Sequence, residues 1–157
     1  VVMLIYIRFR FKTWHFGLSA VAGLAHDVLV TLSLYAIFRI TINNPFIAGI
    51  LTVVGYSIND TVVIFDRVRE NLQLHKGESF ASLVNLSINQ TISRTLITSL
   101  TTFIVVFIMW MFGGPEISDF VFVMMWGIIF GTYSSVFLSG PFVVWQMNRK
   151  ALKQGGK

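Results

Sequence analysis

The sequence contains no cysteine. That removes thiolate nucleophiles and cysteine metal sites, and it leaves the redox compartment unspecified. Charge is scarce too. Asp, Glu, Lys and Arg make up 12% of the chain, about half the usual quarter. The three histidines, His15, His26 and His75, are scattered without metal-ligand spacing. His26, beside Asp27, is read as a satisfied polar packing residue in preference to a second proton carrier. No catalytic residue and no metal ligand is assigned.

Apolar residues fill the space that charge leaves. They form 55% of the chain, and the mean hydropathy is +0.74. A helix needs about 20 apolar residues to cross a hydrocarbon core of about 30 Å, and several windows reach that length. A membrane β-barrel would instead alternate apolar and polar residues over segments of about 10 residues. The expected fold is therefore all-α: a polytopic helical transmembrane bundle with one partial and four full spans. The chain opens at Val1 inside an apolar run, so it is expected to be the C-terminal portion of something longer.

Residues 1–12 read as the end of a transmembrane helix, with Val1–Ile7 apolar and Arg8, Arg10 and Lys12 set among aromatics as an interfacial anchor. Residues 13–66 hold two transmembrane helices. In the first, Gly17–Phe38, residues Ser19, Gly23, Asp27 and Thr31 recur every fourth position as one polar stripe. The second, Phe46–Phe65, follows Pro45, a suitable first-turn residue. Its residues Thr52, Gly55, Tyr56, Asn59 and Asp60 are placed on one face.

Residues 67–94 read as a cytoplasmic helical connector. It is broken at Gly77, and its amphipathic part from Phe80 to Ile92 is expected to lie at the interface. Residues 95–148 hold two more transmembrane helices, Thr95–Phe112 and Phe120–Met147, joined by a loop carrying Glu116 and Asp119. Thr91, Thr95, Thr98 and Thr102 line the first of these two. Gly127, Gly131, Ser135 and Ser139 form a small-residue face for helix packing on the second. Residues 149–157 form a cytoplasmic tail.

Lys and Arg are distributed unevenly. The 8–16, 66–94 and C-terminal segments hold eleven of them, while the 39–45 and 113–119 loops hold only Arg39. By the positive-inside rule the basic segments, C-terminus included, are cytoplasmic. The net charge of +5 is then a topology signal, and nucleic acid is not a partner.

Asp60 stands out. A carboxylate at the centre of a membrane helix costs about 2.5–3.5 kcal/mol on insertion scales, and its short side chain cannot reach the interface as lysine can. Burial favours its neutral form and a guanidinium such as Arg94 favours its charged form. A carboxyl so balanced can take up and release protons, with Tyr56, Asn59, Thr95, Thr98 and Asp27 as supporting polar positions. The same residues are also compatible with a fixed Asp60–Arg94 pair fastening two helices. A third reading, an intramembrane aspartyl protease using Asp27 and Asp60, needs two carboxyls sharing one proton. The Gly-x-Gly-Asp pattern of one major family of that kind is missing, because Ser57-Ile58-Asn59 precedes Asp60.

The run Gly55-Tyr56-Ser57-Ile58-Asn59-Asp60-Thr61-Val62-Val63-Ile64-Phe65-Asp66-Arg67-Val68-Arg69-Glu70 closely resembles the signature of the SecF family of bacterial protein-export membrane subunits. Leu24-Ala25-His26-Asp27, the segment from Ser93 to Thr102, and Gly131-Thr132-Tyr133-Ser134-Ser135 extend the resemblance over nearly the whole chain. The sister family SecD carries Asp-Ala-Asn where this chain has Asn-Asp-Thr.

The resemblance implies half of a proton-driven, RND-transporter-like bundle in the bacterial inner membrane. It implies the proton as coupling ion with no other cofactor, and SecD, YajC, the SecYEG channel and SecA as partners. The work implied is assistance to an unfolded secretory polypeptide driven by the proton motive force. Asp60 and Arg94 match the residues implicated in proton passage, which favours the relay. A SecD-scaffolding role is the alternative. The family's first helix and periplasmic domain are absent from this stretch, and some bacteria fuse SecD and SecF into one chain.

Overall fold

The computed structural model describes residues 14–75 and 77–155. The anchor expected over residues 1–12, Lys76 and the last residues of the tail lie outside them. The described residues form five α-helices: α1 (Trp14–Phe38), α2 (Asn44–Leu74), α3 (Phe80–Phe112), α4 (Pro115–Ser134) and α5 (Gly140–Gly155). A π-helical turn, Ser135–Ser139, joins α4 to α5 without a loop. Four stretches are long and apolar enough to cross a membrane: Phe16–Phe38, Asn44–Leu74, Phe80–Phe112 and Pro115–Arg149.

Local chemistry sets the ends. Asn43 caps α2 by accepting from the Phe46 amide at 3.0 Å, with Pro45 in the first turn. Ser79 caps α3 by accepting from the Ser82 amide. An oxygen side chain at this position satisfies an otherwise orphaned helix N–H. Arg39 closes α1 at φ 53°, with Ile40 N–H donating to the Tyr35 carbonyl and Arg39 N–H to that of Ala36, the double bond of a Schellman ending. The π turn lies just before Pro141, whose missing N–H breaks the regular i to i−4 ladder at that level.

Two features differ from the sequence reading. The segment from Phe80 to Ile92, expected as a separate interfacial helix, is the first part of α3 and runs unbroken to Phe112. No glycine or proline interrupts 80–112, and one buried polar face, Ser87, Thr91, Thr95 and Ser99, continues through the expected break at four-residue spacing. Glu116 and Asp119, expected in a loop, lie in the first turns of α4, because Pro115 fits N1 and an acidic first turn suits the helix dipole.

The interior is layered. At the charged end, Phe16, Ala20, Ile64, Phe65, Val68, Val84 and Val143 form one apolar cluster. At the Pro45 and Pro115 end, Tyr35, Phe46, Val53, Val106, Val121, Val123 and Ile128 form a second. Between them lies a belt of buried polar side chains, including Asp27, Ser57, Asp60, Ser99, Ser134 and Ser135.

Helices α2 and α4 run parallel and interlock over three successive turns. A Cβ on Gly49 would meet Val123, one on Gly127 would strike Val53, and one on Gly131 would reach Ser57 Cβ at 3.3 Å. At the Pro45 and Pro115 end the Tyr35 hydroxyl donates to the Asp119 carbonyl at 2.9 Å, and Asn43 Nδ2 donates to the Asp119 carboxylate. These bonds tie α1, the α2 cap and α4 together. Gly127→Ala is therefore expected to destabilise the full-length protein by about 1–3 kcal/mol through overpacking. Val53→Ala in the same chain should recover most of that loss, read from the thermal unfolding midpoint in detergent.

Candidate functional site

The polar belt contains two carboxylates in separate surroundings. Asp27 on α1 is fully buried. Ser57 Oγ on α2 donates to its Oδ2 at 2.6 Å, and the half-buried His26 ring places Nδ1 3.2 Å from Oδ1. Gly131 on α4 leaves room for this group, since a Cβ there would lie 3.7 Å from Asp27 Oδ2. Three helices thus close around one carboxylate, and hydrogen bonds replace the water it gave up.

Asp60 sits one turn further toward the charged end of α2 and faces α3. It is 4% exposed. The Ser99 hydroxyl and the Arg94 guanidinium are both near enough to act on it electrostatically. Among the described residues no ion pair within 4.0 Å joins Asp60 to Arg94, whose own side chain is exposed. Asp60 Oδ2 is buried without a hydrogen-bond partner. So is Thr95 Oγ1, on the same face of α3. A buried carboxylate has room for several hydrogen bonds, and Asp60 uses little of that capacity within the bundle.

The other expected site residues are spread over two surfaces. Asn59 and Thr98 are exposed and Tyr56 is half-buried. The single polar face expected over Thr52, Tyr56, Asn59 and Asp60 is therefore split, because neighbours on a helix point about 100° apart. Tyr56 Oη lies 3.3 Å from Thr102 Oγ1, and Thr98 back-bonds to the Arg94 and Thr95 carbonyls. Gly127, Gly131 and Ser135 are buried in helix contacts. Among the described residues no three acidic or histidine side chains converge as a metal site.

Some functional geometry has only a weak signal in the sequence. Arg67 Nε donates to Gln90 Oε1 at 2.6 Å, and Arg67 Nη1 to Glu70 at 2.6 Å. The buried Asn71 amide donates to Ser87 Oγ at 2.8 Å and to Gln90 at 2.9 Å. These contacts fix the antiparallel register of α2 on α3, and the Asp60–Ser99 contact continues it. The i, i+4 repeat Ser87, Thr91, Thr95, Ser99 is the one hint of this register in the sequence. Beside these pairs, at the charged end, a cleft of about 590 Å³ opens between the two helices, with Val63, Asp66, Glu70, Thr91 and Arg94 among its walls. Val63 is one turn from Asp60.

With this geometry in view, the similarities to known proteins can be placed. Residues 1–149 match the family described as protein export membrane protein SecD/SecF, C-terminal. The chain belongs to the SecD/SecF family. It is 47% identical over 160 residues to the protein translocase subunit SecF of Rhodothermus marinus, a match that covers 98% of the chain and 52% of that relative. SecF of Petrotoga mobilis is 46% identical, with 98% and 51% covered. The chain thus spans about half the length of these curated relatives.

Two crystal structures of SecDF share the fold. The super-membrane-facing form superposes with a TM-score of 0.91 at 42% identity over 99% of the chain and 21% of its own. The SecDF described as a translocon-associated membrane protein from Thermus thermophilus gives 0.88 at 43% identity, over 92% and 20%. The multi-pass, all-helical membrane architecture is accordingly that of the SecDF membrane domain.

The Asp27–Ser57 bond links α1 to α2, so its contribution can be isolated. Ser57→Ala is expected to lower stability by about 1.5–3 kcal/mol, the range for a hydrogen bond to a charged group. The same change in an Asp27→Asn background should have a smaller effect. A double-mutant cycle on thermal unfolding measures the difference.

Proposed function

We propose that the chain is the proton-conducting membrane part of a SecF-type subunit. In this reading the subunit uses the proton motive force to assist movement of an unfolded secretory polypeptide across the bacterial inner membrane. The charged end of the bundle faces the cytoplasm, as the eleven-to-one distribution of Lys and Arg favours. The observation that carries this reading is the setting of Asp60. It is a buried carboxyl beside Ser99, under the influence of Arg94 without direct contact, and one turn from a residue lining a charged cleft.

A fixed structural pair would bring the guanidinium and carboxylate together with their hydrogen bonds satisfied. Here one carboxylate oxygen is unpartnered and the guanidinium is exposed. That arrangement suits a group whose charge changes as its access to water changes. The reading is non-enzymatic, with the proton as coupling ion and no other cofactor. Asp27 is engaged by Ser57 and His26 and no hydrogen bond joins it to Asp60 among the described residues, which is unfavourable for the shared proton of an aspartyl protease.

The exposed polar residues beside the site bear on partners. Asn59, Arg94 and Thr98 project from the bundle at the α2–α3 side, and an amide facing hydrocarbon is unfavourable. This surface fits cover by a second membrane subunit, for which the SecD half of SecDF is the natural occupant. YajC, the SecYEG channel and SecA complete the proposed assembly.

Asp60→Asn retains shape and some hydrogen bonding but carries no proton. In the full-length complex it is expected to abolish the gradient-dependent component of preprotein export into membrane vesicles while leaving assembly intact. Full gradient-dependent export in that variant would instead assign Asp60 and Arg94 to scaffolding.

A further inference from the structure

We infer that Thr95, with Ser99 and Thr91, forms the cytoplasmic half of the proton route, linking Asp60 through buried water to the charged cleft. The inference rests on the reading of Asp60 as proton carrier.

Three observations support it. The first is placement. Hydrogen bonds between α2 and α3 run in one antiparallel register, Tyr56 to Thr102, Arg67 to Gln90 and Asn71 to Ser87, which brings Ser99 to the level of Asp60. Thr95 therefore lies at the level of Val63, between Asp60 and the cleft that Val63 and Thr91 line. The second is chemistry. Thr91, Thr98, Thr101 and Thr102 all donate to carbonyls of their own helix, as hydroxyls in apolar surroundings commonly do. Thr95 makes no such bond, although it is 1% exposed. Among the described residues its hydroxyl and Asp60 Oδ2 are both buried and without a hydrogen-bond partner, and the register sets Thr95 one turn along its helix from Ser99.

The third is distance. One turn of helix rises about 5.4 Å, close to two hydrogen bonds of about 2.8 Å end to end. A single water between neighbouring hydroxyls fits that interval and satisfies groups that otherwise carry a burial penalty. Ser99 to Thr95 and Thr95 to Thr91 are each one such step. When the Asp60 carboxyl releases its proton, each water or hydroxyl accepts one proton and passes its own onward. Asp60 is left as carboxylate, the proton emerges in the cleft, and the chain of hydroxyls is unchanged.

The test uses the full-length complex in proteoliposomes with an entrapped pH dye, driven by an imposed proton gradient. Thr95→Val keeps the β-branched shape and removes the hydroxyl. It is expected to slow proton flux about tenfold, the rate equivalent of one lost hydrogen bond in the wire. Thr95→Ser should restore most of the flux. The rate at which the Asp60 carboxyl exchanges into D2O, read by infrared spectroscopy, should fall in Thr95→Val and recover in Thr95→Ser. A purely structural role for Thr95 would not move that exchange.

Wild-type flux and exchange in Thr95→Val, with flux lost in Asp60→Asn, would overturn the inference and leave the proposed function standing. Unchanged flux in Asp60→Asn would overturn the proposed function and this inference with it.

Discussion

Removing a carboxylate from water inside an apolar bundle is unfavourable unless other polar groups take water's place, and the helices here are arranged around that constraint. Two apolar clusters occupy the ends of the interior, and the polar belt separates them. Every main helix contributes to the belt: Asp27 from α1, Ser57 and Asp60 from α2, Ser99 from α3, and Ser134 from α4. Apolar packing alone would tolerate sliding of one helix past another. The Ser57–Asp27 bond and the bonds of Tyr56, Arg67 and Asn71 to α3 favour one depth for α1, α2 and α3.

The two acids sit in different surroundings. Asp27 has a 2.6 Å bond from Ser57 and a histidine beside its second oxygen, in a space that Gly131 keeps open. Asp60 has Ser99 and a field from Arg94, and one oxygen without a partner. A well-satisfied buried group holds a structure together, whereas a partly satisfied one is poised to exchange with water or a proton. The cleft at the charged end brings an aqueous surface within a turn of the second acid and not the first.

Much of this was legible in the sequence because membrane helices obey strong rules. Span lengths, the uneven Lys and Arg distribution, and the cost of Asp60 in an apolar run led to an all-helical bundle organised around that residue. The small-residue repeat marked the helix that packs most closely, although its π turn left no clear trace beyond Pro141. What the sequence left open followed from tertiary packing. The 80–112 segment looked like two helices because its polarity changes at Arg94, but polarity does not break a helix, and its buried hydroxyl face runs straight through. Asn59 and Asp60 looked like one motif, yet adjacent residues on a helix face different neighbours. The partners of Arg67, Asn71 and Asp119 lie on other helices, and no local pattern encodes them.

The central claim is that the carboxyl of Asp60 changes protonation within the assembled bundle. Difference infrared spectroscopy of the full-length complex tests it most directly, with the Asp60 band identified by its absence in Asp60→Asn. If Asp60 carries the proton, this carboxyl band gains and loses intensity as the pH at the charged end of the bundle is cycled. A band that stays the same at every pH, with or without a gradient, would contradict it.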